Sequence, residues 1–300
     1  MSLPAVGFIG LGAMGRPMSA RVAGAGYALQ VLDQDGQRAG AIAAEIGAGW
    51  AADAAALARG CDLVVTMLPT SGVVEQVLGG AEGVLAGLRP GAVVIDMTSG
   101  SPGDTKRLAV LVAAAGGTLI DAPVSGGVPR ARTGELAIMV GGDAAAIDRA
   151  EPLLRTMGAS IMRTGGVGTA HAMKALNNLV SAGSFLMGIE ALLIGQRFGL
   201  DPALMVDVIN ASTGMSNSSQ KKFKQYVLSR SFDAGFGLDL MVKDLGIAMG
   251  VARETSTPAP ISAVVREMWA AAQAALGPGQ DHTAAAKISE MLAGTELGQG

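Results

Sequence analysis

Cysteine is nearly missing from this 300-residue chain, with Cys61 the single one. That excludes an internal disulfide and any metal site built from cysteines alone. Histidine is almost as scarce: His171 and His282 are the only two, which leaves little to ligate a catalytic zinc. Aromatic residues make up 3%, so a core has to be assembled from Ala, Val, Leu, Ile and the 16 Met. Excess positive charge is lacking as well. The 22 Lys and Arg stand against 25 Asp and Glu, a net charge of −3, and nothing resembles the basic footprint of a nucleic-acid binder. No basic stretch precedes the apolar run from Met1 to Gly15, which therefore does not read as a secretory signal. Together with the cysteine count, this points to a cytoplasmic protein. The longest apolar stretch, Ala175 to Gly195, is interrupted by Asn177, Asn178, Ser181, Ser184 and Glu190. A membrane span of about 20 residues rarely carries that load, so the stretch reads as a buried helix of a soluble protein.

Apolar material is plentiful. The chain is 50% hydrophobic and 16% charged, enough for a large core and the opposite of a disordered composition. At roughly 150 residues per domain the length suggests two domains. Short apolar runs at Val6–Ile9, Leu29–Leu32, Leu63–Leu68, Val93–Ile95 and Thr118–Ile120 alternate with helical segments such as Met14–Ala25. Fully apolar strands alternating with helices predict a parallel sheet covered on both faces. Leu136–Val140 and Ile161–Met162 read as further strands, with a helix over Asp143–Met157 between them. Beyond Gly165 the β-runs stop. Gly168–Phe198 reads as one long helix, and Asp201-Pro202 as the cap and first-turn proline of the next. Ala234–Arg253 and Ile261–Ala275 read as two more, broken by Pro258 and Pro260. The expected layout is α/β: a doubly wound Rossmann sheet over residues 1–164, then an all-α domain over residues 165–300.

Gly10-Leu11-Gly12-Ala13-Met14-Gly15 is a G-x-G-x-x-G pattern, weak alone but placed here after a strand and at the opening of a helix. Its glycines permit a tight turn and let the backbone approach a pyrophosphate at the helix N-terminus. Asp33 ends the following strand, where an acid accepts hydrogen bonds from the adenosine ribose. Its charge repels a 2′-phosphate, and Gln34 is not the arginine that NADP binders often place nearby, so NAD is expected over NADP. Leu68-Pro69 and Thr98-Ser99 follow later strands, where ligands of such sheets bind, although an ordinary turn explains each equally well.

A second constellation starts at Asp121-Ala122-Pro123-Val124-Ser125-Gly126-Gly127. Ser125 and the N–H groups of Gly126 and Gly127 suit an oxyanion such as a carboxylate. The plainer reading is a tight loop whose glycines serve conformation only. Lys174 and Asn178 stand at i and i+4 on the long helix and share a face, with Asn177 beside it. Buried amides need partners, supplied by a polar ligand or by another helix. Lys243-Asp244-Leu245 is a third element, by default a surface charge pair.

Four motifs in this order and spacing make the chain resemble the β-hydroxyacid dehydrogenase family, which includes 3-hydroxyisobutyrate dehydrogenase and tartronate semialdehyde reductase. They are Gly7 to Met18, Asp121 to Gly127 continuing to Gly134-Glu135-Leu136, Gly168 through Lys174 to Asn177-Asn178, and Lys243-Asp244-Leu245. The resemblance runs nearly end to end. It implies a Rossmann domain, a helical C-terminal domain of the 6-phosphogluconate dehydrogenase type, and NAD(P)-dependent, reversible oxidation of a hydroxyl β to a carboxylate. By position, Lys174 matches the family's catalytic lysine. Ser125, Gly126, Gly127 and Asn178 match substrate contacts, and Lys243 the lysine near the nicotinamide. Leu68, Pro69 and Ser99 match cofactor contacts. A homodimer or homotetramer is implied too. The chain departs from the pattern at Thr98-Ser99, where relatives commonly read Ser-Thr, and at Ala170-His171, where they usually have Gly-Gln. That puts His171 three residues before Lys174, able to reach the rim of the site or simply to pack. Ser212 to Asn217 lies where relatives diverge by substrate.

The expected chemistry has Lys174 as base in oxidation and acid in reduction. A lysine with an unperturbed pKa of about 10.4 is a poor base near neutrality, so burial, aided by a cation such as Lys243, has to lower it. Asn178 would hold the lysine or the substrate hydroxyl, and Ser125 with the glycine N–H groups the carboxylate. The expected substrate is a small 3-hydroxy acid such as 3-hydroxyisobutyrate, with tartronate semialdehyde or another semialdehyde as the alternative. Imine reductases are the nearest rival class, and they commonly replace this lysine. A rival of another kind is a non-catalytic NAD-binding sensor.

Overall fold

The computed structural model describes residues 3–298. Contacts divide the chain into two compact units that change over between Lys174 and Ala175. In the first unit, nine strands form one sheet: β1 (Val6–Ile9), β2 (Leu29–Leu32), β3 (Gly49–Trp50), β4 (Leu63–Thr66), β5 (Val93–Asp96), β6 (Thr118–Asp121), β7 (Val124–Ser125), β8 (Leu136–Gly141) and β9 (Gly158–Gly165). The order is β3-β2-β1-β4-β5-β6-β8-β7, with β9 also paired to β8. The stretch from β3 to β6 is parallel throughout, the doubly wound arrangement the sequence predicted. Chain order reverses between β1 and β4, the switch point outside which ligands of such sheets bind.

Burial explains why these runs are strands. β1, β4 and β5 are buried at every residue, as a sheet covered on both faces requires. Side chains alternate between the two covering layers. Val6, Phe8, Leu63, Val65, Val93 and Ile95 join one core. Ile9, Val64 and Val94 join the core on the opposite face. Polar caps start the covering helices: the side chains of Asp35, Asp53, Thr70, Ser101 and Asp143 each accept a first-turn N–H.

The second unit is helical among the described residues, over Pro202–Asn210, Asn217–Lys221, Leu238–Glu254, Pro260–Leu276 and Ala286–Ala293. A π-helical turn at Phe223–Leu228 and a 3₁₀ turn at His282–Ala285 join them. The few aromatic residues of the chain concentrate here. Phe185 packs against Phe223 and Trp269 at ring separations of 5.7 and 5.6 Å, and the Trp269 indole N–H donates to the Ala182 carbonyl. The helix expected from Ala234 starts later, at Leu238. Gly235 takes a φ of +86°, and the N–H groups of Gly235 and Phe236 donate to Asp281 instead of propagating a helix.

The long helix Thr169–Phe198 forms as expected, but it is not buried all round. Phe185, Ile189 and Leu192 face the core of the second unit, whereas Val180, Met187, Ile194 and Phe198 are exposed. By length and composition this helix is apolar enough to cross a membrane, with a mean hydropathy of 1.5 in its most apolar window.

Candidate active site

The carboxyl edge of the parallel sheet gathers the sequence-predicted cofactor residues of the first unit. Gly10 follows β1, Asp33 follows β2, Leu68 and Pro69 follow β4, and Ser99 follows β5. Gly10 has a φ of +98°, and a Cβ there would meet the Met67 carbonyl oxygen at 2.3 Å. A Cβ on Gly15 would stand 1.8 Å from the Gly10 carbonyl oxygen. These two positions are therefore closed to any side chain, because the loop folds tightly onto the end of β4 and back onto itself. Gly12 is the opposite case, with open space where its Cβ would be. The loop thus leaves bare backbone at the start of helix Gly15–Gly24, which suits the close approach of a pyrophosphate. Residues and backbone fit a dinucleotide here.

Asp33 is held firmly. One carboxylate oxygen accepts the Leu11 N–H at 2.8 Å, and the other accepts the Asp35 N–H at 3.0 Å. The acid expected to meet a ribose also braces the glycine loop. Arg38, unnoticed in the sequence, brings its guanidinium within 3.9 Å of Asp33 and 3.3 Å of Asp35. Beside the loop a groove of about 760 Å³ is lined by Gly12, Ala13, Arg16, Arg38, Glu45 and Arg132 among others. Arg16 there is paired with Glu45 at 2.7 Å.

Lys174 is buried, at 8% exposure. The turn that leads to it is anchored by Asp121, at the end of β6. The Asp121 carboxylate accepts the Gly168 N–H at 2.7 Å and the His171 N–H at 2.9 Å. Burial pushes this carboxyl above the usual carboxylate range, and the charge of His171 and the two backbone donors pull it back. His171 does not reach any rim: it is 1% exposed. Thr105 donates its hydroxyl proton to the Ser101 carbonyl, so it accepts from His171 Nδ1 at 2.6 Å. The other ring nitrogen, Nε2, lies 4.0 Å from Asp96, which itself accepts from Thr66 Oγ1 and the Thr98 N–H. A Cβ on Gly100 would touch the imidazole at 3.1 Å.

In the second unit, the Asn178 amide donates to Asp244 at 2.6 Å. The buried amide finds its partner on another helix, one of the two solutions the sequence left open. Lys243-Asp244 is not a surface charge pair, since Asp244 is 1% exposed. The Lys243 amine stands 3.2 Å from Asp244 Oδ1. One turn beyond Asn178, the Ser181 hydroxyl accepts from the Lys222 amine at 3.3 Å. Burial lowers the Lys222 pKa to about 8, with Asp281 opposing the shift.

Ser125 sits on β7, opposite Ala137 of β8. Gly126 and Gly127 follow with φ values of +132° and +68° and are exposed. The roles of Asp121, Arg38 and Lys222 escaped the sequence reading. A signal existed for Asp121, an acid closing an otherwise apolar strand run. Lys222 carried none, because a lysine beside another lysine reads as solvated surface.

Two outcomes follow from these contacts. Asp121→Asn offers one acceptor oxygen where two N–H donors need one, and places its own NH₂ against the other. A loss of about 1–3 kcal/mol in folding stability is expected, read by urea denaturation. Lys222 is protonated in both folded and unfolded chains below about pH 8, so there the folded state bears the full cost of burying the charge. That cost fades as pH rises from about 8 toward the ordinary lysine value. Lys222→Met should therefore raise the thermal midpoint at pH 7, with the gain shrinking by pH 10.

Comparison with known proteins agrees with this arrangement. Residues 5–166 match the model of the NAD-binding domain of 6-phosphogluconate dehydrogenase. Residues 168–289 match that described as the NAD-binding domain of NADP-dependent 3-hydroxyisobutyrate dehydrogenase. The 2-(hydroxymethyl)glutarate dehydrogenase of Eubacterium barkeri is 35% identical over 98% of this chain and 98% of its own. Mouse mitochondrial 3-hydroxyisobutyrate dehydrogenase is 37% identical over 88% of this chain and 80% of its own. A structure of Mycobacterium tuberculosis 3-hydroxyisobutyrate dehydrogenase with L-serine superposes with a TM-score of 0.88 at 32% identity, covering 96% of this chain and 99% of that one. The carboxyl-edge glycine loop, the buried lysine and the helical second unit therefore have one common explanation: this chain belongs to the β-hydroxyacid dehydrogenase family.

Proposed function

We propose that this protein is an NAD-dependent dehydrogenase of a small 3-hydroxy acid, working reversibly with Lys174 as general acid and base. The observation that carries this reading is the burial of Lys174 just after a helix start pinned by Asp121. An amine held out of water on a fixed turn can exchange a proton with a substrate hydroxyl at a defined place. In oxidation the neutral amine takes the hydroxyl proton, and in reduction the ammonium returns it. The bound nicotinamide supplies the acceptor or donor of the hydride.

The remaining roles in this proposal follow from position. Gly10, Leu11, Gly12, Ala13, Met14 and Gly15 offer backbone to the pyrophosphate. Asp33 takes the ribose hydroxyls, Leu68, Pro69 and Ser99 line the cofactor, and Lys243 lies near the nicotinamide. Ser125, Gly126 and Gly127 hold the substrate carboxylate. Asn178 gives its NH₂ to Asp244 and its carbonyl accepts from Asn177 at 3.3 Å, so it holds the substrate hydroxyl or Lys174 through the second lone pair of that oxygen. The preference for NAD over NADP rests on Asp33, which cannot turn away from a 2′-phosphate without releasing the Leu11 N–H. Arg38 does not offset this charge freely, because it is shared with Asp35. Among relatives, one is named for a dicarboxylate and another for 3-hydroxyisobutyrate, so both kinds of acid, and tartronate semialdehyde in the reverse direction, belong in a substrate panel. A homodimer or homotetramer is part of the proposal. Val180, Met187 and Ile194 stand exposed at seven-residue spacing along one helix, an apolar stripe that water covers poorly.

The test is steady-state turnover of that panel with NAD and with NADP. Lys174→Ala is expected to lower kcat by at least about 10²-fold while cofactor still binds by fluorescence titration. Near-normal kcat in this variant removes the assignment of Lys174. A higher kcat/KM with NADP removes the cofactor preference, and no turnover of any member leaves the non-catalytic sensor as the better reading.

A further inference from the structure

The second unit holds a cation that the proposed chemistry does not use. The Lys222 amine is largely buried, and its hydrogen bond goes to a neutral hydroxyl, Ser181, at 3.3 Å. Asp281, the acid whose charge it feels, is occupied elsewhere. One Asp281 oxygen accepts the Gly235 and Phe236 N–H groups, and the other accepts the Thr283 N–H and hydroxyl and pairs with His282. Burying an ammonium beside a serine is costly unless something anionic joins it.

Its location gives that cost a purpose. Ser181 lies at i+3 from Asn178 and i+7 from Lys174, so the three positions share one helical face. About 10 Å of helix separates the turns of Lys174 and Ser181. A rise on that scale suits a ligand whose two polar ends are a few carbon atoms apart. The segment leading into Lys222 adds a second observation. Ser218, one turn earlier, is fully buried, and its hydroxyl has no hydrogen-bond partner among the described residues. Its carbonyl accepts the Lys222 N–H at 2.9 Å. This segment follows directly on Ser212 to Asn217, the stretch where the sequence resemblance implies divergence by substrate.

We infer that Lys222 and Ser181 form a second anion-recognition point one turn beyond Asn178, and that the preferred substrate is a 3-hydroxy acid carrying a further acidic group a few carbons from its hydroxyl. The inference rests on the dehydrogenase reading above and sharpens it to a substrate class. Lys222 is here a specificity residue: it contacts the far acid and takes no part in proton or hydride transfer. Its charge is present at neutral pH, so the discrimination should weaken as pH rises through about 8.

The experiment uses two 3-hydroxy acids of equal chain length, one ending in a carboxylate and one in a methyl group. Wild-type protein should favour the dianion at least tenfold in kcat/KM at pH 7. In Lys222→Met that ratio should fall at least tenfold, through KM, while Lys222→Arg keeps most of it. Glutarate should protect wild-type protein against thermal unfolding more than butyrate does, a difference lost in Lys222→Met. A wild-type ratio near one, or equal losses on both acids in Lys222→Met, overturns the inference and leaves the dehydrogenase reading intact. Lys222-dependent protection by glutarate without turnover of either acid supports the anion site and removes the dehydrogenase reading.

Discussion

One buried carboxylate connects the sheet to the long helix that carries Lys174. Asp121 ends β6, and its two oxygens take the Gly168 and His171 N–H groups. Those donors belong to the start of Thr169–Phe198, where a helix leaves its first N–H groups without intrahelical partners. A charged acceptor placed there satisfies donors that would otherwise be buried unpaired, and favours the positive end of the helix dipole. Lys174 follows less than one turn later. Its position is thus set by a strand end, the most rigid part of an α/β unit, through two short bonds rather than through side-chain packing alone.

The neighbouring strand ends are tied by the same means. Asp96, closing β5, accepts from Thr66 of β4 and from the Thr98 N–H, and Thr98 accepts the Leu68 N–H. Asp33, closing β2, accepts from Leu11 in the glycine loop. The polar edge is thus a row of strand-terminal acids, each bracing a nearby loop or helix start. This explains why so polar a border survives on a sheet whose strands are otherwise apolar on both faces. Where the edge reaches the long helix, His171 fills the space that Gly100 leaves open.

The second unit works differently. Its aromatic core of Phe185, Phe223 and Trp269 secures the inner side of the long helix, while Asn178 and Ser181 on that helix meet Asp244 and Lys222 from other segments. Two polar contacts, a single turn apart, have unlike character. The first pairs an amide with a carboxylate. The second pairs an ammonium with a neutral hydroxyl, and the charge of Asp281 acts on it besides. The proposed distal anion site draws on this difference.

The sequence alone determined the doubly wound sheet, the nucleotide loop and the all-helical second half. Those features rest on local periodicity and on glycines at positions where Gly10 and Gly15 admit no side chain, information carried within a few residues. It also placed Lys174 and Asn178 on one helical face, because their spacing is a helical repeat. Only the tertiary structure decided what each polar group meets. Asp121 with His171, Asn178 with Asp244, and Lys222 with Ser181 are separated by 50, 66 and 41 residues. No local pattern encodes such pairings, since they depend on which strand end and which helix face the folded backbone brings together. The exposed side of the long helix was hidden for a related reason: with apolar residues on several of its faces, the helix does not reveal which of them the core will claim.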